Sequence, residues 1–236
     1  MNDNNTEFKN RTIRSFVKRE SRLTKAQELA LKNYWDKLGI DFNDKLIDLH
    51  SVFNRHAPVI MDIGVGTGDT TFHHAKTRPE NNYLAIEVHK PGVGRLLNSI
   101  VSKELNNIRI INHDVIEVLQ KQIPDRCLSQ VFIFFPDPWP KKKHHKRRLI
   151  NKTLLELLKK KLTLNGRLHI ATDWENYAEH IQELCNQDDG LLSLSSNEKI
   201  APRPDWRTQT KYETRGLKLE HHVWDFCYAL NMPAKI

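Results

Sequence analysis

From residue 24 onward, short apolar runs alternate with longer stretches in which apolar residues recur at helical spacing. Thr24-Lys25-Ala26-Gln27 has the form of a capping box, in which hydroxyl and amide side chains satisfy backbone N–H groups at a helix start. It predicts an amphipathic helix with Ala26, Ala30, Tyr34 and Leu38 on one face, stopped by Gly39. Strand-like runs follow at 59–63, 83–88, 108–112 and 131–135. Helical patterns separate them: one after Gly68, one over 93–105 and a short one over 115–122. The spacing of Ile150, Leu154, Leu157 and Leu158 predicts a helix over 146–162. A strand at 167–172, a helix at 174–186, a weak strand at 191–195 and a last strand near 219–228 complete the pattern. Strands alternating with helices predict a doubly wound α/β fold around a parallel sheet. Residues 1–23 lack periodicity and read as a flexible segment ahead of one domain spanning 24–236.

Composition narrows the class. The longest apolar candidate, Val131 to Phe135, has five residues, far short of the ~18 that a membrane helix needs. The polar N-terminus is no secretory signal. Cys127, Cys185 and Cys227 are odd in number and widely spaced, as expected of thiols in a reducing, cytoplasmic setting. His-His pairs at 73–74, 144–145 and 221–222 lack metal-site spacing, so no metal is expected. The net charge of +8 is localised: residues 1–25 carry +4, residues 141–148 carry +6, and the remainder sums to −2. Two concentrated basic segments are the footprint of a polyanion binder, where a merely solvated surface would spread the excess.

In doubly wound sheets, ligands bind beyond the carboxyl ends of the strands, near the switch in strand order. The first strand leads into Asp62-Ile63-Gly64-Val65-Gly66-Thr67-Gly68-Asp69. Gly64, Gly66 and Gly68 permit a tight turn and close approach of a ligand. Asp69 occupies the place where a nicotinamide fingerprint wants a third-spaced glycine, which disfavours a dehydrogenase. Glu87 ends the second strand, 25 residues after Asp62, where a carboxylate accepts ribose hydroxyls. Asp114 follows the third strand and suits either an adenine amino group or a helix N-cap. The fourth strand runs into Pro136-Asp137-Pro138-Trp139, which places Asp137 on the same edge with a stiffened backbone. The basic octamer begins two residues later, at Lys141. A carboxylate beside a polyanion clamp fits a nucleic acid whose base enters while its phosphates are held. Trp139 offers a stacking surface for that base.

Together "MDIGVGTG", "AIEVHKPG", "NHDVIEVL", "FFPDPWPKKKHHKRR", "ATDWENYAEH" and "RTQTKYETRG" resemble the bacterial-type tRNA (guanine-N7)-methyltransferase family, in order from about residue 11 to 228. The Pro-Asp-Pro-Trp block followed by Lys and Arg is the specific element; the glycine loop is generic to methyltransferases. The resemblance implies a seven-stranded, Rossmann-like class I methyltransferase sheet with its last strand antiparallel. It implies S-adenosylmethionine as methyl donor and guanosine 46 in the variable loop of tRNA as acceptor. It leaves monomer and homodimer open. Carried over by position, Asp62, Gly64, Gly66, Gly68, Glu87, Asp114 and Asp137 match cofactor-contacting residues, and Asp137 also the proposed catalytic residue. Lys141, Asp173, Thr210, Lys211, Tyr212 and Glu213 match substrate-contacting positions. Lys143, His144, His145, Lys146, Arg147 and Arg148 match the RNA-contacting stretch. Asp62 replaces a Glu common in the family, and Pro140 stands where other members have His.

Guanine N7 carries a lone pair and no proton at neutral pH, so placement of the reacting atoms matters more than a general base. A fixed Asp137 carboxylate suits stabilisation of the developing purine charge, or binding of the guanine N1–H edge. Asp173 is expected at the same edge, with helix N-capping as its alternative role. The basic residues Arg14, Lys18, Arg19 and Arg22 are expected to close over the RNA, with Trp139 and Tyr212 flanking the base. Two other classes fit parts of the pattern. An inactive RNA-binding module of the same fold would not need four edge acids. A base amino-group methyltransferase would favour a double proline after the fourth strand.

Overall fold

The computed structural model describes residues 14–16, 22–195, 203–207, 213 and 222–231. Helix α1 (Lys25–Leu38) opens on the expected box: Gln27 N–H donates to the Thr24 hydroxyl and Thr24 N–H to the Gln27 side chain. Gly39 ends it in extended backbone rather than a left-handed cap. Its glycine identity has a steric cause: a Cβ there would lie 2.2 Å from the Trp35 ring.

The sheet is built from β1 (Gly39–Ile40), β2 (Val59–Ile63), β3 (Asn82–Ile86), β4 (Ile108–Ile111), β5 (Leu128–Phe134), β6 (Leu162–Thr172), β7 (Leu191–Ser193) and β8 (Trp224–Leu230). Its order is β1-β4-β3-β2-β5-β6-β8-β7. All neighbours are parallel except β8, which runs antiparallel to both β6 and β7. The expected seven strands and antiparallel last strand are present. The two-residue β1 adds an eighth, too short to carry a period. Between the strands run α2 (Leu49–Phe53), α3 (Asp69–Thr77), α4 (Lys90–Ser102), α5 (Val115–Lys121), α6 (Lys152–Lys161) and α7 (Glu175–Asn186). No described helix is long and apolar enough to cross a membrane.

β2 and β3 are buried at every position, the mark of central parallel strands covered on both faces. Successive residues serve opposite layers. Met61 and Ile63 join Val118, Leu154, Leu158, Tyr177 and Ile181 from α5, α6 and α7. Ile60 and Tyr83 join Ala30, Leu96, Leu97 and Ala75 from α1, α4 and α3. The chain leaves β2 toward β3 and β4, then crosses back to place β5 on the other side of β2. The switch point therefore lies between the upper ends of β2 and β5.

One predicted element changes. The helix expected over 146–162 is a 3-10 turn over Lys142–Arg147, a break, and then α6. Asn151 starts α6 by accepting from Leu154 N–H at 3.0 Å, and Ile150 N–H donates to the Tyr177 hydroxyl. Ile150 and Leu154 reach the core as expected, but from separate elements.

Candidate active site

The glycine loop follows β2 at the switch point. Gly64, Gly66 and Gly68 have φ of 75°, 56° and 75°, the left-handed region that side chains resist. Nothing lies within 4 Å of a Cβ built on Gly64 or Gly66, so the loop faces open space there. Gly68 instead packs against Leu96 of α4. Gly92, inside the "AIEVHKPG" segment, has no Cβ because the Gly66 carbonyl oxygen would sit 2.1 Å from it. The loop after β2 is thus keyed into the start of α4.

Glu87 secures that junction. Its Oε2 accepts from Gly66 N–H at 2.6 Å, and Oε1 accepts from Val88 and His89 N–H at 2.7 and 2.8 Å. A carboxylate offers about four lone-pair sites, so little acceptor capacity remains for a pair of hydroxyls. Asn112 fixes the next strand end by donating to the Glu87 carbonyl at 2.6 Å. Asp62 is buried below the loop and accepts from the Thr71 hydroxyl at 2.6 Å. Burial pushes its carboxyl up to about 7; the Thr71 bond opposes this and the Glu87 charge adds to it. Asp62 therefore ties β2 to α3 beneath the open cradle. Asp114 is the N-cap of α5, accepting from Ile116 N–H through Oδ1, while Oδ2 makes no bond among the described residues. Both roles foreseen for Asp114 remain compatible.

Past β5, the turn is held in an uncommon form. Phe135 and Trp139 have φ of 52° and 47°, although each is bulky and precedes a proline. Such residues cost on the order of 1–3 kcal/mol each and persist where surroundings over-determine them. Phe135 N–H donates to the Ala171 carbonyl of β6 at 2.8 Å. The Trp139 indole N–H donates to the Ser15 carbonyl at 3.1 Å, which holds residues 14–16 against the turn. Arg147 lies over the Trp139 ring at 5.0 Å, and His144 meets it edge-on. Asp137, between these two anchors, is exposed and makes no hydrogen bond among the described residues. Asp173 stands at the end of the neighbouring β6 without capping α7, whose N-cap is Trp174. Both carboxylates are thus presented at one sheet edge.

Lys141, Lys143 and Lys146 project from the 3-10 turn into solvent, and His144, His145 and Arg147 are half-buried. Partial burial first, and then the neighbouring cations, hold the His144 imidazole below its ordinary range. Arg148 departs from the RNA-contacting expectation. It is buried and donates to the Pro138 carbonyl, the Asn176 carbonyl and side chain, and His145. Its guanidinium braces the Asp137 turn against α7, because the chain bends inward at the end of the 3-10 turn. Glu213 is also buried, its carboxylate held in two bonds by Arg207 at 2.7 and 3.0 Å. Thr210, Lys211 and Tyr212, and likewise Lys18 and Arg19, lie outside the described residues. Sequence reasoning missed Arg207, since its acidic partners are 6 and 18 residues away with no local signal. It also missed an aromatic cluster beside β5, in which Trp206 stacks on Phe132 at 5.1 Å and meets His169 edge-on. The His74 Nε2–H donates to the Trp206 carbonyl there, and burial lowers both imidazoles to about 4. No metal-holding cluster occurs among the described residues.

A family model described as "Putative methyltransferase" matches residues 56–226. The chain is 50% identical over 218 residues to the tRNA (guanine-N(7)-)-methyltransferase of Shigella boydii serotype 4, covering 92% of this chain and 91% of that protein. It is 49% identical over the same length and shares to the protein of that description from Escherichia coli K12. Among solved structures, an rRNA methylase from Streptococcus thermophilus matches with a TM-score of 0.51 at 10% identity, covering 90% of this chain and all of that one. The 16S rRNA methyltransferase KamB matches with a TM-score of 0.53 at 12% identity, covering 80% of this chain and 95% of that one. At such identities these two likenesses concern the fold.

Proposed function

Because the chain belongs to the tRNA (guanine-N7)-methyltransferase family, we propose that it methylates N7 of guanosine 46 in the variable loop of tRNA, with S-adenosylmethionine as donor. The observation that carries the reading is the meeting of three features at one switch point: an open glycine cradle, an exposed Asp137 on a rigid turn, and cationic side chains directly beyond it. The cradle above Gly64 and Gly66 fits the donor; Glu87 shapes it by holding the loop, and Asp114 Oδ2 is left to accept from the donor. S-adenosylmethionine, when bound, supplies an electrophilic methyl group on a sulfonium sulfur.

The chain's own work is placement. Guanine N7 needs no deprotonation, so no general base has to precede methyl transfer. Asp137 is held by the Phe135 and Trp139 anchors and gives the base a fixed negative partner as it gains charge. Asp173 lies on the same edge to share the guanine N1–H and amino face. Lys141, Lys143 and Lys146 hold phosphates while the base is drawn out of its stack. Ser15, joined to the turn through Trp139, keeps its neighbour Arg14 on the same side, where it can meet the RNA. The setting is the cytoplasm, where tRNA is processed.

The test maps the methylated atom. N7-methylguanine is open to borohydride reduction followed by aniline cleavage. tRNA incubated with the protein and donor is expected to break once, at the variable-loop guanosine. Methyl incorporation without that break overturns the reading. Asp137→Ala and Asp137→Asn are expected to lose about 10²–10³-fold in turnover while remaining folded, since the side chain is exposed and charge is what both remove.

A further inference from the structure

Arg207 is fully buried, yet nothing in the reaction as derived above uses it. Its guanidinium meets two carboxylates. Nη1 and Nη2 donate to Glu213, and Nη2 donates to Asp225 Oδ2 at 2.9 Å, with Nε 2.7 Å from Asp225 Oδ1. Arg203 donates to the Arg207 carbonyl and lies 3.7 Å from Glu213, so two cations face two carboxylates. A buried ion cluster is a poor source of stability, because desolvation offsets the attraction and apolar packing does as well. What a guanidinium fork supplies is direction: it fixes the planes of the carboxylates it holds.

The same group reaches the Asp137 turn. It lies over the Phe134 and Phe135 rings, 5.8 and 5.6 Å from their centroids. Phe135 is the left-handed residue that begins the turn. Its N–H donates to Ala171, and Ala171 pairs across the sheet with Asp225. One side chain therefore touches the residue that starts the turn, Asp225 of β8, and Glu213. No hydrogen bond or ion pair joins it to the glycine loop among the described residues.

We propose that Arg207 is a positioning residue that locks the Asp137 turn and Glu213 into one rigid unit, fixing the guanine side of the site independently of the donor side. The inference rests on the function proposed above, in which Asp137 faces the acceptor base. The lock acts through orientation, so its loss slows transfer more than it weakens binding of either substrate.

The test uses Arg207→Lys, which keeps the charge and loses the fork, and Phe135→Leu, which removes the covered ring and keeps the ion cluster. Single-turnover methyl transfer to tRNA is measured beside donor and tRNA dissociation constants and melting temperature. Both folded variants are expected to lose about 100-fold in the single-turnover rate, the scale of a 1 Å misplacement. Donor and tRNA affinities are expected to stay within about threefold. A folded variant of either kind with a wild-type rate overturns the proposal, as does a rate loss accounted for by weakened donor binding. If Arg207→Lys does not fold, Phe135→Leu alone decides. Wild-type protein that makes no N7-methylguanine would instead sink the proposed function, and the coupling with it.

Discussion

Asp62 and Glu87 are both nearly buried carboxylates below the glycine loop, but they face different company. Glu87 accepts three backbone N–H groups, whereas Asp62 accepts a single hydroxyl. Burial makes Asp62 resist ionisation, and the Thr71 hydroxyl only partly opposes it, so its carboxyl stands at about 7. The folded state holds this proton more tightly than the unfolded chain, whose Asp titrates near 4. The resulting stability is fully present below that value and is lost as pH rises through about 7. Asp62→Asn still accepts from Thr71 but cannot ionise. Denaturant midpoints of variant and wild type are expected to agree near pH 4 and to separate by pH 8 in the variant's favour, by at most about 4 kcal/mol. Parallel pH profiles would show that Asp62 ionises without penalty. Gly92 carries a second residue-scale consequence. Gly92→Ala drives a methyl group onto the Gly66 carbonyl, a backbone atom with no rotamer to change. A loss of about 1–3 kcal/mol in stability is expected, with donor affinity falling at least tenfold by calorimetric titration. The sequence made Gly64, Gly66 and Gly68 legible because a loop after a strand demands them. Gly92 was opaque as a glycine, since only a tertiary neighbour, the Gly66 carbonyl, explains it.

The 3-10 turn at Lys142–Arg147 shows where periodicity stops being informative. Six basic residues and two histidines within 141–148 have no apolar rhythm, so the octamer was readable as charge but not as shape. Its apolar successors, Ile150 and Leu154, suggested one helix running back through it. The inward turn of Arg148 separates the two and divides the basic run into exposed and structural members. Replacing Lys141, Lys143 and Lys146 by Ala is expected to reduce the logarithmic salt slope of tRNA binding by about 2 to 3, near 0.7–0.9 per phosphate contact. Arg148→Ala is expected to act differently, lowering the melting temperature through the lost bonds to Pro138 and Asn176. Filter binding across a salt series, beside thermal melts, separates the two effects. A larger salt-slope change from Arg148 than from the lysines would reverse the assignment. The capping box at Thr24, by contrast, was legible to the residue, because its two bonds are local.

At the scale of the molecule, the alternation of strands and helices sufficed to predict a doubly wound sheet and to put the acids on one edge. The order of strands rests on pairings that no local pattern encodes, and the Arg207 cluster depends on that order. β8 is synthesised after β7 but inserts between β7 and β6. It also brings Asp225, one of the two carboxylates that hold Arg207. A chain still emerging from the ribosome thus has β6 and β7 with open edges and a buried arginine short of a partner, however complete its first five strands are. Such edges invite pairing with other chains. Chains stopped before residue 222 are expected to be protease-sensitive from β6 onward and to pellet at low centrifugal force, whereas the full chain is neither. Synthesis of the final strand then works as a checkpoint: the turn that carries Asp137 gains its last support only when translation has passed it by some ninety residues.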